Sequence, residues 1–144
     1  MNLKLDTEQI RYVGLFENIT GAMPLDCLIP DGDGELVFVV KSDDMGKAIG
    51  KGGANVKKFM NSTGKSVDII EYSEDIEEFV KNIYEGVDVK IEDVYTKEKE
   101  EENVAMIKIP SKQRPRAIGR GGRNVRMVKR LLKRHHDIDD VNII

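Results

Sequence analysis

The sequence holds one cysteine and no tryptophan, and its aromatic fraction is only 6%. The lone cysteine, Cys27, excludes an internal disulfide and any cysteine-based zinc site. No apolar run approaches membrane-spanning length, the longest being Leu36–Val40. The opening residues Met1-Asn2-Leu3-Lys4-Leu5-Asp6 lack the apolar core of a secretory leader. These absences predict a cytoplasmic protein without a membrane partner. What remains is a chain able to fold: 144 residues, 40% of them apolar, suffice for one ordinary domain or two very small ones.

Net charge is −3, which taken alone argues against a polyanionic partner. The charges are segregated, however. Met45–Val67 holds five basic residues and no acid, and Val104–His136 holds eleven and again no acid. Between them, Asp68–Glu102 carries fourteen acids against four lysines. Local potential decides whether a polyanion binds. One such block is ordinarily a solvated face, but two acid-free blocks centred on the same glycine motif point to a ligand.

That motif is an internal repeat. Lys47-Ala-Ile-Gly-Lys-Gly-Gly-Ala-Asn-Val-Lys57 aligns with Arg116-Ala-Ile-Gly-Arg-Gly-Gly-Arg-Asn-Val-Arg126 at a constant offset of 69 residues. Seven of the eleven positions are identical and three exchange lysine for arginine. A period this long marks a duplicated small domain, not a solenoid unit.

The flanks repeat as well. Asp6–Gly21 carries Ile10, Val13, Phe16 and Ile19 near helical spacing, with Asp6 or Thr7 able to cap. Ser73–Gly86 carries Ile76, Phe79, Val80 and Ile83, opened by Ser73 and closed by Gly86. Strands are expected over Asp26–Ile29 and Glu35–Lys41, with a turn at Asp31–Gly34, and over Val87–Tyr95 and Val104–Ile109. Lys97–Asn103 reads as a charged turn. A longer helix follows each glycine loop: Ala54–Thr63, burying Val56, Phe59 and Met60, and Arg123–His136, burying Val125, Val128, Leu131 and Leu132. Final strands are expected over Ser66–Glu71 and Ile138–Ile144. The order predicts an α+β layer, a small sheet with helices on one face, formed twice.

Gly50-Lys51-Gly52-Gly53 and Gly119-Arg120-Gly121-Gly122 lie between helical segments. Glycine lets the backbone turn tightly and approach a ligand, and a helix opening offers N–H groups to an anion. Lys51 and Arg120 would add charge to a phosphate site. Ile49 with Val56, and Ile118 with Val125, would flank a shallow groove for bases.

The Ile-Gly-x-Gly-Gly-x-Asn-Val core, between two helices and after a strand, resembles the KH domain, whose Gly-x-x-Gly loop clamps a nucleic-acid backbone. The helix-first order resembles the type II form. The tandem pair is similar to that of NusA-like transcription factors, and the short chain to the archaeal members, which consist of little else. The resemblance covers nearly all of the chain. It implies an α+β fold of two tandem type II KH domains, residues 1–73 and 74–144, each a three-stranded sheet covered by helices on one face. It implies single-stranded RNA as partner, with RNA polymerase or other transcription factors beside it, and a role in transcription termination or antitermination. It implies no catalytic residue, metal or cofactor. RNA contact carries over to Lys47, Ile49, Gly50, Lys51, Gly52, Gly53, Asn55, Val56 and Lys57. In the second copy it carries over to Arg116, Ile118, Gly119, Arg120, Gly121, Gly122, Arg123, Asn124, Val125 and Arg126. The chain has no room for the polymerase-binding N-terminal domain of bacterial NusA or for its OB-type domain. The second loop, amid more basic residues, is expected to supply most of the electrostatic grip.

Other readings fit less well. A P-loop needs G-x-x-x-x-G-K-[ST], and Gly46–Lys51 is one residue short and followed by Gly52. Asp31-Gly-Asp-Gly-Glu35 lacks the phase and the bidentate glutamate of a calcium loop. His135 and His136 are adjacent at a helix end and favour its dipole. Duplex DNA reading by the last helix would need a helix-turn-helix connection, which the glycine loop is not. A KH protein of ribosome assembly or RNA processing would use the same site on another RNA. A metal-dependent nuclease would have to use the Glu98–Glu102 run.

Overall fold

The computed structural model describes residues 3–30 and 34–144. The chain divides into two compact units, one ending at Tyr72 and the other spanning Ser73–Ile144.

In the first unit, helix α1 (Thr7–Thr20) opens on a capping box. The Asp6 carboxylate accepts from the Gln9 amide, and the Gln9 side chain accepts from the Asp6 amide, both at 2.8 Å. Two donors that the helix start leaves unpaired are thereby satisfied. Gly21 ends α1 in the left-handed conformation. Strands β1 (Asp26–Leu28), β2 (Glu35–Val40) and β3 (Ser66–Glu71) form a sheet in that order. β1 runs antiparallel and β3 parallel to β2. Parallel neighbours need a crossover connection. Here it carries α2 (Ser42–Ile49), a 3-10 turn (Lys51–Gly53) and α3 (Ala54–Thr63), so the glycine loop falls between two helices of the crossover.

Three of the four phenylalanines meet in this core. Phe16 of α1 stacks on Phe38 of β2 at 4.1 Å, and Phe59 of α3 meets both edge-on at 5.2 and 5.4 Å. All three are fully buried. Three elements are thus joined by three rings, an arrangement stabilising beyond its buried area.

The second unit repeats the plan with α4 (Ile76–Ile83), β4 (Asp93–Lys99), β5 (Glu102–Lys108), α5 (Arg114–Ile118), α6 (Arg123–His136) and β6 (Asp140–Ile143). Its sheet has the order β4-β5-β6, antiparallel then parallel. A 3-10 turn, Ser111–Gln113, precedes α5, and another, Arg120–Gly122, joins α5 to α6.

Several expectations need correction. Ile10, placed on the buried face of α1, is 58% exposed, and Gln9 and Tyr12 are buried instead. Val56, Met60 and Val125, assigned to the core, are only half-buried. The α4 cap is Asp75, whose carboxylate accepts from the Glu78 amide at 3.1 Å, rather than Ser73. The alternating Val87, Val89 and Ile91 precede the strand that was expected to contain them. The register Asp93↔Lys108 to Lys99↔Glu102 fixes β4 by its partner and draws charged Lys97–Lys99 into the ladder. The turn shrinks to Glu100 and Glu101, with φ of 51° and 68°. The first three residues of the turn expected at Asp31–Gly34 lie outside the described residues. No helix among the described residues is long and apolar enough to cross a membrane.

Candidate nucleic-acid interface

The two glycine loops have one backbone. Gly50 and Gly119 lie at φ/ψ of 75°/170° and 78°/169°. Gly52 and Gly121 lie at 63°/21° and 61°/21°, and Gly53 and Gly122 at 79°/15° and 78°/16°. The same bonds close both turns. Gly53 N–H donates to the Gly50 carbonyl at 3.1 Å, and Gly122 N–H to the Gly119 carbonyl at 3.0 Å.

Each residue type shared by the two copies has a distinct task. A Cβ on Gly50 would lie 2.7 Å from Asn55 Cγ, and one on Gly119 would lie 2.8 Å from Asn124 Cγ. The asparagine occupies that space for a reason. Asn55 Nδ2 donates to the Lys47 carbonyl at 2.7 Å, and Asn124 Nδ2 to the Arg116 carbonyl at 2.9 Å. Each asparagine therefore bridges the helix after the loop to the helix before it. Gly52 and Gly121 differ: a Cβ there would meet nothing within 4 Å, so this part of the loop faces open space. Helices α3 and α6 start at Gly53 and Gly122 with no side-chain cap and no acid in the first turn.

The side chains divide into outward and braced groups. Lys51 and Arg120 are exposed, and neither side chain forms a hydrogen bond or ion pair among the described residues. Lys57 Nζ reaches the Gly52 carbonyl at 3.4 Å, and Arg126 Nη1 donates to the equivalent Gly121 carbonyl. Ile49 and Ile118, directly before the loops, are 38% and 40% exposed. Val56 and Val125 are half-buried in the first turn of the next helix, and Lys47 and Arg123 are exposed.

Arg116 is placed differently from Lys47. Its Nη1 donates to the Asp88 backbone carbonyl and lies 3.3 Å from the Asp88 carboxylate. Lys129 pairs with Asp140 at 3.3 Å and Lys133 with Asp139 at 4.0 Å. The block with eleven basic residues, free of acids in sequence, therefore meets acids in space. The five basic residues of the first block form no ion pair among the described residues. The electrostatic advantage of the second loop is narrower than residue counts suggest.

Tyr84 had no role in the sequence reading. Its buried hydroxyl donates to the Ala117 carbonyl at 2.8 Å, at the end of α5. Burial pushes its ionisation well above the ordinary tyrosine value, so it remains a donor throughout the working pH range. Among the described residues, no group of three or more His, Cys, Asp or Glu converges to hold a metal ion.

Comparison with known proteins agrees with this geometry. Residues 76–143 match the model of the NusA-like second KH domain, and residues 10–100 match that of the KH domain. A "Probable transcription termination protein NusA" from Methanocaldococcus jannaschii is 41% identical over 99% of this chain and 75% of its own length. One of the same description from Halobacterium salinarum is 34% identical over 99% of both chains. The crystal structure of APE1850, 33% identical, superposes with a TM-score of 0.80 over 97% of this chain and 100% of its own. Two copies of one loop, on two sheets of one topology, and full-length relatives agree: the chain belongs to the NusA-like family of tandem KH-domain proteins.

Proposed function

We propose that this chain is a non-catalytic factor of transcription termination or antitermination that binds single-stranded RNA through both loops, with residues 1–73 and 74–144 as its two RNA-binding domains. The observation that carries the reading is the duplicated surface. Twice, an exposed isoleucine stands beside an open glycine turn with an unengaged cation at its tip. An apolar residue at the surface gains by covering a base, and a free cation gains by meeting a phosphate.

In this reading Lys51 and Arg120 neutralise phosphate. Gly52 and Gly121 let the strand approach the backbone. Ile49, Val56, Ile118 and Val125 support bases. Lys47 and Arg123 add charge beside them. Gly50, Asn55, Gly119 and Asn124 hold the loop's shape, and Lys57 and Arg126 fix the outer carbonyl while keeping donors to spare. RNA polymerase or another transcription factor would be the protein partner, and the cytoplasm the compartment.

Affinity for a labelled single-stranded RNA, titrated at several salt concentrations, tests the site. Its logarithm should fall with log salt, and Lys51→Gln or Arg120→Gln should each lower the slope by about 0.7, one phosphate contact. An unaltered slope in both variants would contradict the assignment. Crosslinking in cells separates the transcriptional role, which recovers nascent transcripts of many genes, from ribosome assembly, which recovers ribosomal RNA alone.

A further inference from the structure

The two loops match in geometry, but their supports differ. In the first copy, α2 has eight residues and two acids in its first turn, Asp43 and Asp44, which favour its dipole. In the second, α5 has five residues and no acid in its first turn, and neither helix has a side-chain cap. A helix so short does not hold itself together. Three contacts from the segment joining α4 to β4 reach it or the turn before it. Tyr84 Oη donates to the Ala117 carbonyl, and Arg116 grips Asp88. The Lys90 amide donates to Gln113 Oε1 at 2.6 Å.

The first copy has no counterpart. Asp26 opposite Val39 and Asp93 opposite Lys108 are equivalent, an offset of 67 before the hairpin turns that puts Glu17 where the second copy has Tyr84, and Gly21 where it has Asp88. The side chain of Lys47, which corresponds to Arg116, is unengaged among the described residues. We infer that residues 84–90 form a strap that positions the second glycine loop for RNA, with Tyr84 as its principal positioning residue and Arg116 as a strut rather than a phosphate contact. The inference rests on the RNA-binding reading above. Tyr84 touches the carbonyl two residues before Gly119, so it sets where the loop leaves α5.

The test uses the intact chain, a labelled mixed-sequence single-stranded RNA and amide hydrogen exchange. Tyr84→Phe removes only the hydroxyl. RNA affinity should fall roughly twofold to tenfold, the equivalent of one hydrogen bond, with the salt slope unchanged. Exchange at the Gly119 and Gly122 amides should quicken, and that at Gly50 and Gly53 should not. In a chain whose second loop carries Arg120→Asp and Gly121→Asp, Tyr84→Phe should cost no further affinity. Arg116→Met should weaken binding at unchanged slope. Val94→Ala, which destabilises the same unit at a buried site of β4, should leave affinity unaltered. Unchanged exchange and affinity in Tyr84→Phe would overturn the strap while leaving RNA binding intact. Equal losses with and without a working second loop would overturn it as well. If the unaltered chain binds no RNA, the functional reading falls and the inference with it.

Discussion

The glycines of each loop are not equivalent. Gly50 and Gly119 combine positive φ with an asparagine filling the space of a Cβ, whereas Gly52 and Gly121 have positive φ and free space. Alanine at Gly52 or Gly121 pays only for the left-handed backbone, about 1 kcal/mol. Alanine at Gly50 or Gly119 must also displace the asparagine and lose its bond to the preceding helix. Denaturant midpoints should therefore fall further for Gly50→Ala than for Gly52→Ala, and for Gly119→Ala than for Gly121→Ala. Asn55→Ala and Asn124→Ala should cost about 0.5–1.5 kcal/mol each, one hydrogen bond, and weaken RNA binding without touching its salt slope. The motif's spacing made these residues visible in the sequence, but not that the first glycine and the asparagine face each other.

Among the elements, the β4–β5 hairpin is closed under strain. Glu100 and Glu101 both have positive φ, as a type I′ turn demands, and neither is a residue suited to it. Replacing them by Asn-Gly should stabilise the second unit by on the order of 1 kcal/mol, read as a rise in melting temperature. Strand β6 is tied to α6 through Asp140. The Val141 amide and Lys129 hold this carboxyl below its ordinary value. A lowered folded value stabilises above the unfolded pKa, and that contribution disappears as pH falls through the folded one. The pair is exposed, so Asp140→Asn should flatten the acid limb of a stability–pH curve by well under about 1 kcal/mol. Local signals placed α3, α6 and β3 correctly, because glycines bound α3 at both ends and open α6, and alternation marks the strand. They failed at Val87–Ile91, where Lys90 and Asp88 meet partners 23 and 28 residues away in sequence.

At the level of the whole molecule, a net negative chain presents two cation-tipped loops. Duplication kept the loop and changed its support: a longer helix with two acids in its first turn before one, a strapped short helix before the other. The repeat revealed both loops, and the order of the flanking helices and strands, with the resemblance they carry, revealed the fold class. The pairing of Arg116 with Asp88, 28 residues away, was not legible, and Lys129 and Lys133 meet Asp140 and Asp139 only because the chain turns back after α6. The central claim is that the two loops together bind single-stranded RNA. The direct measurement is affinity for a labelled single-stranded RNA in a chain with Lys51, Gly52, Arg120 and Gly121 all replaced by Asp, its fold checked by circular dichroism. The open space at Gly52 and Gly121 accommodates the new side chains. A folded protein that no longer binds is expected, and a folded protein with undiminished affinity would contradict RNA binding through the loops.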